Sequence, residues 1–397
     1  MAQTTLSLLG KSLGLSGAAI GAISASSNLV SALAMVLITA RLATGSARRA
    51  VIVGSLLLGL SLVVFLLASP LSLLAGALVL GVAGGLAIPS VATAIGHRAI
   101  TLQESDTGQA SVRTKGFAPA RALATLGLVL SVSLALGPLL ESAVLSASHQ
   151  HLRAAYLAFL PIAFLGAFVI RKGPPDEAQR ESERVSLRQS LVGLRGLFAN
   201  RRWSLAMCAQ AIYSVPFAVV VVFGGLLGKN LYHVSPSEIE EAIAVFFTVS
   251  LVSRALLAWR PAMSHRVRLF ALCVAFTLVG LGLLASGQGT VVFVAALAIL
   301  GVPHGLTYPL ALGLVAEAVP SDELSRANAG FAAVSSLISV AAPLALGLII
   351  DDLGPRTMLV CSGIPVILLA AVLRRLRDAG SSNSSPVAII RDAAQPA

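Results

Sequence analysis

The chain has 397 residues, 56% hydrophobic and only 11% charged, with a mean hydropathy of +0.89, against roughly 25% charged residues in an ordinary soluble domain. This excludes a water-soluble globular protein. Apolar runs reach the ~20 residues that a helix needs to cross ~30 Å of hydrocarbon and lack the alternation of membrane strands, so the fold class is all-α integral membrane.

Met1 to Ser16 is too short and too polar to span, and Thr4 to Gly10 read as the tail of a helix. No charged segment followed by an apolar run opens the chain, so no cleavable signal peptide is expected and insertion starts from the spans themselves. Five spans follow, at about residues 17–42, 50–69, 71–95, 122–145 and 154–170, with a polar loop from His97 to Arg121. A mixed-charge linker, 171–202, opens with Lys172-Gly173-Pro174-Pro175. It ends in a segment whose Leu187, Leu191, Leu194 and Leu197 have the spacing of an amphipathic helix, in water or at a membrane surface. Six more spans are expected at about 203–227, 239–258, 269–285, 291–318, 327–350 and 358–373. That makes about eleven transmembrane helices, divided as an N-terminal bundle (1–170), the linker, a C-terminal bundle (203–377) and a disordered Ser-rich tail (378–397).

The net charge of +11 lies mostly in the connections, with no basic helix interleaved with aromatics. Its partner is therefore anionic lipid and not nucleic acid. Of the 28 Lys and Arg, 24 fall in one alternate set of connections; Lys11, Arg153, Lys229 and Arg356 make up the other. Cytoplasmic loops hold the basic excess, so the C-terminus is expected inside and, with eleven spans, the N-terminus outside. Cys208, Cys273 and Cys361 stand alone in separate apolar segments, which implies neither a disulfide framework nor a metal site.

One frame, G-V-x-x-G-L-x-x-P, occurs twice at an offset of 220 residues: Gly81 to Pro89 and Gly301 to Pro309. Gly81, Gly85 and Pro89, with Gly301, Gly305 and Pro309, are expected to form equivalent small-residue packing strips, because small residues let neighbouring membrane helices approach. The chain thus reads as two related halves.

Ionisable groups inside a membrane are expensive and mark function. Arg254 lies about one and a half turns from its helix end, where it is expected to snorkel to the interface. Glu141 is expected to be solvated at the outer end of its span, and Glu240 and Glu241 open a helix from outside. His304 lies near mid-span, with Tyr308 one turn on. It either bonds a neighbouring helix or faces a water-filled cavity. Gln210, Tyr213 and Ser214 share a face, as packing glue between helices or as ligand groups; Asn28 with Ser24, Ser27 and Ser31 reads as a close-packing face. The candidate substrate-binding residues are His304, Tyr308, Gln210 and Tyr213. His304, with an unperturbed pKa of ~6.5, offers a site for a coupling proton. No nucleotide-binding, nucleophile-elbow or metalloprotease motif occurs, so the expectation is not an enzyme, with no cofactor.

These residues resemble the major facilitator superfamily over nearly the whole chain. The loop Ala40 to Arg49 matches that family's G-x-L-x-D-R-x-G-R-[KR] element at Leu42, Arg48 and Arg49 but has Thr44 at the acidic position and Ala47 at a glycine. Arg48 and Arg49 are the gating-loop candidates by resemblance. Gly137-Pro138 matches part of an exporter motif or is an ordinary Gly-Pro kink made tolerable by neighbouring helices, and Tyr308-Pro309 through Arg326 looks like the family's tenth helix and the loop after it. On this alignment the family's first helix is represented only by Thr4 to Gly10, which implies either a start upstream of Met1 or an eleven-span variant. The resemblance implies two bundles related by a pseudo-two-fold axis along the membrane normal, and a secondary transporter in the cell membrane moving a small molecule by alternating access. The alternative is a sensor or assembly partner that keeps the fold without transporting.

Overall fold

The computed structural model describes residues 2–42, 47–106, 117–172, 196–259, 266–320 and 323–381, and among these the long elements are all helical. In chain order they are α1 (Ala2–Ser12), α2 (Gly17–Leu42), α3 (Ala47–Leu66), α4 (Pro70–Asp106), α5 (Phe117–Ala147) and α6 (Leu152–Lys172). Then follow α7 (Arg201–Leu231), α8 (Pro236–Trp259), α9 (Arg266–Ser286), α10 (Thr290–Ala318), α11 (Leu324–Leu353) and α12 (Pro355–Ser381). Ten of these are long and apolar enough to cross a membrane, and α12 contributes a shorter apolar stretch at Pro355–Ala371, in place of the span expected at 358–373. The 11 residues of α1 reach ~16 Å at 1.5 Å per residue, about half a crossing. It is nonetheless a packed element: Thr4, Thr5 and Ser7 are buried, and the bare backbone at Gly225 of α7 leaves room for Thr4, Ser7 and Leu8.

The loop expected from His97 is shorter than anticipated, because α4 runs 37 residues to Asp106. Ala, Leu, Gln and Glu in that stretch are good helix formers, so the helix does not stop where the apolar run stops. The expected amphipathic helix lies mostly outside the described residues, as do Thr44 of the loop and residues 382–397 of the tail.

Packing repeats between the halves. Helix α2 lies on α4 as α8 lies on α10, α3 on α4 as α9 on α10, and α3 on α6 as α9 on α12. The halves meet along α2 with α11 and along α5 with α8, the pairing that a two-fold relation of helix n to helix n+6 demands. Large apolar side chains elsewhere, such as Leu136 on α5, Leu165 on α6 and Leu368 on α12, remain exposed, as befits surfaces that face lipid.

Within each half the close approach is made by glycine. A Cβ at Gly81 would strike the Ser27 carbonyl oxygen of α2, and one at Gly85 the Ser31 carbonyl. In the other half Gly301 meets the Phe246 carbonyl of α8 and Gly305 the Ser250 carbonyl. Lipid tails are as apolar as leucine, so helices in a bilayer gain little from hydrophobic burial and hold together by such close van der Waals contact. At Gly84, one residue from this strip, the nearest atom to a Cβ would be Ser31 Oγ at 3.7 Å, an ordinary contact. Gly85→Ala and Gly305→Ala should therefore each lower the thermal unfolding midpoint in detergent, through overpacking of about 1–3 kcal/mol, while Gly84→Ala leaves it unchanged or raised. Equal behaviour of the three variants would contradict the packing assigned to the strip.

Candidate functional site

Helix α7 is anchored at its start. Asn200 caps it by accepting from the Arg202 and Trp203 amides at 3.0 and 3.2 Å, and donates its own Nδ2 to Ala318 O at the end of α10, 2.7 Å away. Trp203 is fully buried and donates Nε1 to Ala327 O of α11 at 3.1 Å. From there α7 runs past Pro216 into a π turn at Val219–Phe223. Such turns are uncommon and frequent at functional sites, and here the irregular stretch begins two residues after Phe217, which lines a cavity.

That cavity has a volume of about 250 Å³ and is lined by α7, α8, α10 and α11. Gln210, Tyr213, Ser214 and Phe217 come from α7, Arg254 from α8, His304, Thr307 and Tyr308 from α10, and Ser335 and Ser339 from α11. The four substrate-binding candidates thus surround one space.

Their chemistry differs. Tyr213 is buried and donates its hydroxyl to Leu300 O at 2.9 Å, tying α7 to α10 at mid-helix. The His304 ring is stacked on Phe217, with centroids 4.6 Å apart and planes 6° from parallel, and on Phe246 at 5.0 Å. Its Nε2 has no protein partner. Gln210 Oε1 and Ser335 Oγ also lack one. The Tyr308 ring, 47% exposed, packs against Phe331 at 6.0 Å.

Arg254 does not snorkel. Its Nη1 donates to Ser131 Oγ of α5 at 2.7 Å and its Nη2 reaches His304 O at 3.5 Å, so the guanidinium turns inward to the cavity. The reason is packing: α8 is sandwiched between α5 and α10, and each offers an acceptor within reach, Ser131 Oγ and His304 O. The expectation of a solvated Glu141 also fails. It is buried, accepts from Thr5 Oγ1 of α1 and leaves Oε2 unpartnered. Glu240 is fully buried with neither carboxyl oxygen partnered, because the first turn of α8 packs against α5 and α1. Glu241 accepts from Ser142 Oγ at 2.9 Å.

At this same end two side chains cross between the halves to cap helices. Asp351, at the end of α11, accepts from the Gly17 and Ala18 amides of α2 at 2.6 and 2.7 Å. Gln150, just after α5, accepts from the Ser237 amide of α8 at 3.0 Å and donates to Ser237 Oγ at 2.9 Å. The first amides of a helix have no internal partner, so each seam closes on donors that need an acceptor. Asn28 adds a bond to Ser339 O at 2.9 Å further along the α2–α11 seam. Arg48 Nε donates to Ile170 O of α6 at 3.0 Å, and the side chain of Pro89 lies outside the described positions.

The model of the Major Facilitator Superfamily matches residues 1–259 and 229–394. No curated protein matches in sequence. Among solved structures, the chain resembles the nucleoside transporter NupG in a mutant form, with 16% identity, 94% of this chain and 95% of that one covered, and a TM-score of 0.69. A bacterial homologue of the human lysosomal transporter Spinster, inward-facing and unoccupied, gives 13% identity, 94% and 92% coverage and a TM-score of 0.67. The human organic anion transporter MFSD10 gives 15%, 94% and 89%, and 0.59. At such identities the likeness is one of fold.

The two tyrosines should separate by experiment. Tyr213→Phe removes a buried hydrogen bond between α7 and α10 and should cost about 0.5–1.5 kcal/mol, read as a lowered unfolding midpoint. Tyr308→Phe, whose hydroxyl has no protein hydrogen bond among the described residues, should leave the midpoint where it is.

Proposed function

Since the chain belongs to the major facilitator superfamily, a family of membrane transporters, we propose that it is a secondary active transporter moving a small solute by alternating access. The observation that carries this reading is one cavity holding several polar atoms without protein partners, Gln210 Oε1, His304 Nε2 and Ser335 Oγ. Buried polar groups normally find partners, so a site that leaves several of them open together suits a visiting ligand. In this reading Gln210, His304 and Tyr308 orient the solute, Tyr213 holds α10 in shape beside them, and His304 is the candidate for a coupling proton. Structural neighbours are described as carrying nucleosides, peptides or organic anions, so the fold by itself does not choose the solute.

Alternating access requires the two seams to part at one end. The Asp351 and Gln150 caps, together with the buried Glu141 and Glu240, mark the α2 N-terminal end as the closed one. From the distribution of basic residues that end faces outward, with the C-terminus in the cytoplasm of a cell-membrane protein. The inward turn of Arg254 removes one residue from the basic set without altering the imbalance. Reporter fusions at the C-terminus should give a cytoplasmic signal; an external one would reverse the assignment.

Access itself is tested with a thiol introduced by Ser335→Cys in a background where Cys208, Cys273 and Cys361 are replaced by serine. A membrane-impermeant thiol reagent should label it from both faces of sealed vesicles. Labelling from one face only would favour the non-transporting alternative. Adding Asp351→Ala, which removes the acceptor of two helix-end amides, should increase labelling from the outer face.

A further inference from the structure

We infer that the cavity takes a small organic anion and that Arg254 receives its carboxylate, a substrate class that rests on the transport reading above. A guanidinium within a span is costly unless it reaches the interface or is paired. Arg254 does neither. Its Nη1 is committed to Ser131 Oγ at 2.7 Å, Nη2 makes only a 3.5 Å approach to His304 O, and Nε has no partner. Among the described residues no carboxylate bonds to it. Glu240, on the same helix, is fourteen residues away, ~21 Å at 1.5 Å per residue, and the groups that share the cavity with Arg254 are the phenols of Tyr213 and Tyr308 and the imidazole of His304.

The Nε–Nη2 edge, engaged only through the long Nη2 contact to His304 O, has the geometry that arginine offers to a carboxylate, two parallel N–H donors in a rigid plane. A cationic solute would meet an uncompensated positive charge, and a neutral one would leave that charge uncompensated. An anion supplies what the cavity lacks. The remaining lining argues for an organic body behind the charge. Phe217, stacked on His304 at 4.6 Å and 6°, adds an aromatic wall to a space of about 250 Å³, slightly below the range of pockets for drug-sized ligands. Gln210 and Ser335 add neutral polar groups that hold orientation without opposing the charge.

The competing account makes Arg254 a strut between α5, α8 and α10 and nothing more. Thermal unfolding of the purified full chain in detergent separates the two, with benzoate, lactate and succinate as probes, their neutral amides and inorganic phosphate as controls, all at matched ionic strength. At least one carboxylate should raise the wild-type midpoint where its amide does not. Arg254→Gln should lower apparent affinity at least tenfold, and Arg254→Lys, a point charge without the fork, should lower it by less. Ser131→Ala, which removes the strut contact together with a local bond to Gly127 O within α5, should keep the carboxylate response. The proposal is overturned if none of the carboxylates exceeds its amide, if phosphate alone shifts the midpoint, or if the response survives in both arginine variants. Should Arg254→Gln fail to fold, the lysine variant decides: a carboxylate affinity equal to that of the wild type overturns the proposal, and a measurably lower one supports it. Binding is read without transport, so carboxylate binding with one-sided labelling at position 335 would sink the transport reading and leave the anion site standing.

Discussion

Backbone-to-backbone contact at glycine is the constraint from which the site follows. Gly301 and Gly305 draw α10 onto the Phe246 and Ser250 carbonyls of α8, an approach that any side chain would prevent. One turn beyond Ser250 on α8 is Arg254, and between the two glycines on α10 is His304. The same contact therefore brings a guanidinium to an imidazole's own carbonyl and stacks that imidazole on Phe246. In a bilayer, where burial alone does not drive helices together, so close a seam is also what holds the half as a unit.

The two halves share this seam and differ in what they hang on it. Gly81 and Gly85 meet Ser27 and Ser31 as Gly301 and Gly305 meet Phe246 and Ser250. The offset is 220 residues on one side and 219 on the other, so Met35 is the counterpart of Arg254, Gly84 of His304 and Ile88 of Tyr308. The N-terminal half keeps the packing and carries apolar or absent side chains where the C-terminal half carries polar ones. A cavity offset into one half follows from that asymmetry.

The opposite logic holds at the closed end, where the symmetry is in the chemistry and not in the residue type. A carboxylate from α11 and an amide from the α5–α6 turn each accept amide donors at the start of a helix of the other half. Gln150 achieves this from a left-handed backbone, φ 67°, a conformation a glutamine adopts only at some cost. Beside it Glu240 is buried with no partner on either oxygen, which makes this seam energetically expensive in a way the α2–α11 seam is not. Such an imbalance suits the opening that the proposed alternating access requires.

Composition and the length of apolar runs determined the membrane setting and the helical class, because hydrophobic thickness is a property of consecutive residues that no tertiary contact can alter. The repeat at Gly81 and Gly301 and the mid-span depth of His304 and Tyr308 were legible for the same reason. Arg254 was not. Its distance from the helix end permits either snorkelling or an inward turn, and only the acceptors that α5 and α10 bring alongside, Ser131 Oγ and His304 O, decide between them. Glu141 was misread as solvated because it lies near a span end, and the burial of Glu240 at the start of α8 was not legible for the same reason. Whether a helix end meets water or another helix is set by how the halves dock, a relation between residues about a hundred positions apart. Depth in the membrane is written along the chain; the direction in which a charged side chain turns depends on the packed neighbours.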